Sequence, residues 1–191
     1  MRYVILIASV GLLLIGFGCQ QQTQMATVDP VAQGKYLAII GGCHDCHSPK
    51  VFLPNGELLP DSTRQLSGHP ANDPYPTWSP ADMQRHAIAL TNPHLSAWAG
   101  PWGVSFAINL TPDSTGMAEW TEEAFMQAMR SGMHQGQPNG RPILPPMPWQ
   151  AIGQMTDGDI KALWAYLRSI PPISNQAPLP VPPAGAPMPV Q

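Results

Sequence analysis

The chain has 191 residues, with 24 prolines, 17 glycines, only 11% charged side chains and a formal charge of −3. Hydrophobic residues make up 43%, enough for the core of one domain, while the Pro and Gly content predicts much loop and extended chain. No basic run is present to track a phosphate backbone, which argues against nucleic acid as a partner.

Residues 1–18 read as an export signal. Arg2 supplies the positive start, Tyr3 to Phe17 is uncharged and almost wholly apolar, and Gly16-Phe17-Gly18 places small residues where a peptidase cuts. The run is shorter than the roughly 20 residues of a spanning helix. Cys19 follows at once and opens the polar stretch Gln20-Gln21-Gln22-Thr23-Gln24. This resembles a bacterial lipoprotein signal, in which the cysteine becomes the lipidated N-terminus, although Gly16 stands where leucine is usual. The alternative is ordinary cleavage nearby. Lipidation at Cys19 accounts for a cysteine without a partner and would hold the protein at a membrane surface. Residues 19–29 then form a polar tether.

Asp29-Pro30 is a helix start, with Asp as cap and Pro in the first turn. The helix should run to about Ile40 and stop at Gly41-Gly42, with Ala32, Tyr36, Ile39 and Ile40 near one face. Gly34 lacks a side chain and would let a second helix cross closely.

Cys43-His44-Asp45-Cys46-His47 comes next. Two cysteines two residues apart, with histidine directly after the second, form the attachment pattern of c-type haem. Each thiol adds across one vinyl group of the porphyrin to give a thioether, and His47 is carried under the ring as the proximal iron ligand. His44 reads as a solvated residue. Two other chemistries use a Cys-x-x-Cys pair. Zinc needs two further ligands, and there is no second Cys pair; a redox dithiol normally accompanies a βαβ pattern, for which no strands are visible. The export signal agrees with haem, which is attached outside the bacterial cytoplasm.

From Ser48 to Pro112 the chain is rich in Pro and Gly, with turn signals at Pro54-Asn55-Gly56 and Ser67-Gly68-His69-Pro70. One helix fits Pro80 to Leu90, capped by Ser79. The region is too long for a bare loop and is expected to wrap the haem, with Trp78, Trp98 and Trp102 as packing residues.

Thr121 should cap a helix ending near Ser131-Gly132, with Phe125 and Met129 facing the core. Thr156 should cap the last helix, with Asp159 at the capping-box position. Ile160, Leu163, Trp164 and Leu167 make its buried stripe, and Pro171-Pro172 end it. From Ile173 to Gln191 the chain reads as an extended, mobile tail.

The distal iron ligand is assigned to Met147, in Ile143-Leu144-Pro145-Pro146-Met147-Pro148-Trp149. Flanking prolines restrict the backbone before folding, so a thioether is held with little entropy loss. Met83, Met117, Met133 and Met155 lack that frame; His69, His86, His94 and His134 are the bis-histidine alternatives. His/Met ligation sets a higher potential than bis-His.

The order of these features resembles that of class I cytochromes c. More closely, Phe106-Ala107-Ile108-Asn109-Leu110-Thr111-Pro112-Asp113, Trp120-Thr121, Gly140-Arg141-Pro142, Met147-Pro148-Trp149 and Ala165-Tyr166-Leu167-Arg168-Ser169-Ile170-Pro171-Pro172 resemble cytochrome domains of bacterial membrane-linked dehydrogenases, such as the alcohol and gluconate dehydrogenase cytochrome subunits. The resemblance implies an all-α class I cytochrome c fold over residues 30–172, around one covalent haem c, with a loop-rich insertion after the haem motif. It implies thioethers at Cys43 and Cys46 and iron ligation by His47 and Met147. Those subunits usually carry several haem motifs; this chain carries one. Arg141 is a candidate partner for a haem propionate.

Function divides accordingly. With both axial sites filled, the protein is an electron carrier rather than an enzyme, working in the periplasm or cell envelope between a dehydrogenase and a quinol or terminal oxidase component of the respiratory chain. An open sixth site would instead give a peroxidase-like enzyme or a gas sensor.

Overall fold

The computed structural model describes residues 28–76 and 88–183. The export signal, Cys19, Met83, His86, Trp78 and the end of the tail lie outside these residues. So does most of the helix expected from Pro80; its last position, Leu90, belongs to a strand.

Helices frame the molecule. Helix α1 (Pro30–Ile40) begins where Asp29 accepts a hydrogen bond from the Val31 amide. Helix α2 (Cys43–His47) is the haem motif itself, entered through Gly42 at φ +68°. Its residues follow α1 so closely that α1 fixes where the two thiols sit. Further along, helix α3 (Glu122–Ser131) is capped by Thr121 through the Ala124 amide and ends at Gly132, φ +70°. A short helix α4 (Trp149–Ile152) and the terminal helix α5 (Asp157–Ser169) follow. The Thr156 hydroxyl accepts from the Asp159 amide and donates to the Asp159 carboxylate, a variant of the expected capping box.

The contact of α1 with α5 is the tightest in the frame. A Cβ placed on Gly34 would stand 1.9 Å from the Ala162 carbonyl oxygen, so only glycine permits this crossing. The core-facing stripe of α1 is Gly34, Leu37 and Ala38. That corrects the expected face: Ala32, Tyr36, Ile39 and Ile40 are all exposed. Glycine counts as a break in a hydrophobic stripe, whereas here it marks the stripe's centre. On α5, Ile160, Leu163 and Leu167 are buried as expected, with Ala162 and Tyr166, while Trp164 is half-buried beside Phe125. Phe125 and Met129 of α3 complete the same core.

The all-α expectation needs a second correction. Between α2 and α3 the described residues build five short strands. Strands β1 (Lys50–Phe52) and β2 (Leu58–Pro60) form an antiparallel hairpin across the Pro54-Asn55-Gly56 turn. Strands β3 (Leu90–Thr91), β4 (Ala97–Gly100) and β5 (Gly103–Phe106) form a second antiparallel sheet in that order. Gly100 pairs with Gly103, leaving Pro101-Trp102 as the turn. Segments so rich in Pro and Gly cannot satisfy their backbone groups in a helix, and short ladders do so instead.

The tail is extended but, as far as it is described, held. Val181 exchanges backbone hydrogen bonds with Val104 of β5 in both directions, at 2.7 and 2.9 Å. Ala177 and Pro180 are buried. Buried Asn109 donates to the Ile173 carbonyl at 2.8 Å, and Asn175 donates to the carbonyls of Ser67 and His69 at 2.6 and 2.8 Å. The expected mobility therefore fails for Ile173 to Pro183, because side-chain amides supply partners that proline-rich chain cannot find within itself. No helix among the described residues is long and apolar enough to cross a membrane.

Candidate haem site

Helix α2, the end of β5, the chain after it, and the Pro-rich loop before α4 enclose one cavity of about 370 Å³. Its lining is mostly apolar and includes Cys43, Cys46, His47 and Met147. The sequence places Met147 100 positions after His47, and the fold brings it to one wall system with the two thiols and the imidazole.

His47 is held from behind. It is buried, and its Nδ1 lies 2.8 Å from the Ile108 carbonyl oxygen. A carbonyl only accepts, so Nδ1 carries the proton and Nε2 keeps a free lone pair. That is the arrangement of a metal-ligating imidazole with its outer-shell acceptor. Burial pushes the His47 pKa down, which favours the neutral form that ligation needs.

The thiols are unjoined, and their environment speaks against thiolate chemistry. Burial pushes Cys43 up to about 11, and burial with the neighbouring Asp45 charge raises Cys46. Redox dithiols and zinc thiolates require the opposite shift. Among the described residues no group of three or more His, Cys, Asp or Glu side chains is placed to hold a metal ion. The expectation for His44 needs amending: it is half-buried within α2, with Nδ1 3.0 Å from the Ser48 hydroxyl.

Met147 is half-buried in a loop tied down at several points. The Ser105 hydroxyl of β5 donates to the Pro145 carbonyl at 2.5 Å. The Ile143 amide donates to the Gly132 carbonyl at 2.7 Å, and the Trp149 amide to the Met147 carbonyl at 2.9 Å. Trp149 stands against Gly132, where a Cβ would lie 2.3 Å from the indole. The sheet and the end of α3 thus fix the loop together.

The other candidate ligands separate by location. His69 is fully buried away from the cavity, between the Ser96 hydroxyl and the Asp73 carbonyl. His94 accepts from the Lys50 amide and faces Asp73. Met133 and Met155 do not line the cavity; Met117, Met129 and His134 do. Met117 and Met129 are core residues, buried at 1% and 6% exposure. His134 sits 3.3 Å from an Arg141 guanidinium nitrogen, edge-on to Trp120. Burial and the Arg141 charge push its pKa to about 4. Arg141 is itself half-buried, and among the described residues no carboxylate pairs with it.

No protein-family model matches the sequence. Similarity to individual proteins decides the matter. The fructose dehydrogenase cytochrome subunit of Gluconobacter japonicus is 34% identical over 150 residues, 78% of this chain and 23% of that protein. The gluconate 2-dehydrogenase cytochrome c subunit of Pantoea cypripedii is 27% identical over 147 residues, 76% of this chain and 24% of that protein. The alcohol dehydrogenase (quinone) cytochrome c subunit of Gluconobacter oxydans (strain 621H) is 25% identical over 177 residues, 91% of this chain and 28% of that protein.

The chain is a homologue of the cytochrome c subunits of bacterial dehydrogenases. It spans about a quarter of the length of these relatives. A cytochrome c domain holds a flat, largely apolar porphyrin with two anionic propionates, and this cavity fits one. The walls are apolar, a histidine presents a free Nε2, a methionine enters from another loop, and the Arg141 guanidinium lines the cavity without a carboxylate of its own.

The Ile108 carbonyl and the Ser105 hydroxyl are functional parts that sequence reasoning missed. Ile108 lies within the run Phe106 to Asp113, which carries the family resemblance, whereas Ser105 stands just before it and carries no signal of its own in the sequence.

Proposed function

We propose that this chain is a mono-haem c-type cytochrome that carries single electrons. Residues 30–172 form the cytochrome domain, with 173–191 as its Pro-rich extension. Cys43 and Cys46 would hold the porphyrin as thioethers, and His47 and Met147 would supply the two iron ligands. When bound, the haem supplies a one-electron couple between Fe(III) and Fe(II). The protein's own residues set its surroundings. Ile108 orients His47, the Ser105 tether and the prolines orient Met147, and Arg141 accepts the charge of a propionate.

The observation that carries this reading is the convergence on one apolar cavity of both thiols, a histidine with Nδ1 already engaged, and a proline-framed methionine. Two filled axial sites leave no place for a substrate on iron, which favours a carrier over a peroxidase-like enzyme or gas sensor. The donor is a dehydrogenase and the acceptor the oxidised side of a quinone/quinol couple or a terminal oxidase component of the respiratory chain, by analogy with relatives named as dehydrogenase cytochrome subunits. Residues 1–18 direct export, and lipidation of Cys19 keeps the carrier at the periplasmic membrane surface.

The test is the purified, exported protein. Haem should stay with the polypeptide on a denaturing gel. The oxidised form should show the far-red methionine–iron band and bind carbon monoxide poorly when reduced. Met147→Ala should abolish that band, lower the potential and open the iron to carbon monoxide. An unchanged band in Met147→Ala would falsify the distal assignment, and a colourless parent would end the haem reading.

A further inference from the structure

Lys50 is the first residue of the chain to leave the haem motif and enter β1, and it is almost wholly buried, at 8% exposure. Its ammonium donates to the carbonyls of His44 at 3.0 Å, Asp45 at 2.8 Å and Ser48 at 2.6 Å. The His94 carbonyl is a fourth, longer acceptor at 3.5 Å, so the three N–H donors are satisfied without a carboxylate. Among the described residues no acid lies within salt-bridge distance of it. Asp45, exposed on α2, is the charged side chain that acts on it most strongly.

The location matters more than the burial. The three closer carbonyls belong to the attachment helix or to the residue that ends it. The backbone of Lys50 is fixed as well, because its amide donates to His94 Nδ1 at 2.9 Å. The ammonium is held against the attachment segment that carries His47 by these carbonyls, while burial lowers the Lys50 pKa and the Asp45 charge opposes that shift.

We propose that Lys50 raises the reduction potential of the haem by holding a fixed positive charge against the carbonyls of the attachment helix. The inference rests on the haem reading above. Oxidation adds a positive charge at iron, and a like charge locked nearby disfavours that state. The ferrous form gains accordingly. Lys50 is a positioning and tuning residue, not a ligand. A second consequence follows from the same contacts: the ammonium offsets the partial negative charge of the helix's terminal carbonyls, which would otherwise favour the ferric state.

The experiment compares haem-loaded parent, Lys50→Gln, Lys50→Met and Lys50→Arg by spectroelectrochemistry, with haem content read on a denaturing gel. Gln keeps hydrogen-bond donation to the carbonyls but removes the charge; Arg keeps the charge. Lys50→Gln and Lys50→Met should shift the ferrous-to-ferric ratio at a fixed potential about tenfold towards ferric, a fall of about 59 mV for a one-electron couple. Lys50→Arg should stay near the parent. A Lys50→Gln potential equal to the parent's overturns the tuning role, as does loss of haem from both neutral variants when their circular dichroism matches the parent's and Lys50→Arg keeps its haem, which would leave Lys50 as a clamp alone. A parent that never carries haem removes the reading on which the inference rests; a loaded parent whose variants do not move removes only the inference.

Discussion

The helical frame and the stranded insertion solve opposite problems. In the frame, backbone groups satisfy one another within α1, α3 and α5, so the side chains are free to make a core. Leu37, Phe125, Met129, Ile160 and Leu163 belong to that one cluster. In the insertion, almost no stretch is long enough for a regular element, and polar side chains do the holding. Asn92 and Asn109, with the hydroxyls of Ser48 and Thr111, bond backbone groups across loops, and Asn175 of the tail does the same from outside. Both parts contribute to the cavity. The frame delivers the thiols and His47; the insertion delivers the carbonyl that orients His47 and the hydroxyl that tethers the Met147 loop. Stability is concentrated in one part and site geometry in the other.

The largest effect should come from the frame. Gly34→Val places branched carbon where 1.9 Å separates an ideal Cβ from the Ala162 carbonyl oxygen. Neither helix backbone can yield locally, so α1 and α5 must separate. The expected loss is about 3 kcal/mol or more, or roughly 10 °C in Tm for a domain of this size. Thermal unfolding by circular dichroism measures it. A Tm within a degree or two of the parent would mean that the frame does not depend on this crossing.

The corresponding cut in the insertion is Asn109→Ala. The Asn109 side chain accepts from the Thr111 amide at 2.9 Å and hydroxyl at 2.7 Å, and donates to the Ile173 carbonyl at 2.8 Å. Removing it strands buried backbone groups at about 1–3 kcal/mol each, part of which relaxation recovers. We expect a total cost of about 2 kcal/mol, smaller than that of Gly34→Val. The signature should differ too: amide exchange should rise along Ile173–Val181 while α1 and α5 keep their protection. Uniform loss of protection would show that the two parts unfold as one.

The same division explains what could be read without coordinates. Helix ends were legible because Asp29, Thr121 and Thr156 cap through short-range bonds that sequence spacing encodes. The helical turn Cys43–His47 carries a pattern whose proposed chemistry is local to five residues, so it needed no long-range information to be noticed. The inward face of α1 was not, because it is set by Gly34 meeting Ala162, 128 positions away by their numbering. Nor were the strands: Ala97-Trp98-Ala99-Gly100-Pro101-Trp102-Gly103 lacks the β-branched alternation that marks a strand, and its pairing is fixed by a tight turn and by Val181 arriving from the far end of the chain. The placement of Met147 fell between these cases. Its proline frame was visible, while Ser105 as the anchor of that frame was not.

The smallest effect is expected at the exit of the β1–β2 hairpin. Asp61 accepts from the Thr63 hydroxyl at 2.6 Å, from Arg64 Nε at 2.8 Å and from the Thr63 amide at 2.8 Å. The hydroxyl, then the guanidinium, then the amide hold its pKa at about 2 rather than the ordinary 3.8. A carboxylate depressed in the folded state contributes stability that is complete above its unfolded value and fades as pH falls through the folded one. The contribution should therefore be intact above about pH 4 and lost by about pH 2. Asp61→Asn should be slightly less stable than the parent at neutral pH, and the two should converge through that acid window. Denaturant midpoints at half-unit intervals of pH would resolve it. The contacts are local to a turn, so the haem spectrum should not change with the substitution; a spectral change would mean that this turn is coupled to the proximal side through the Asp61 amide, which donates to the Pro49 carbonyl at 2.8 Å.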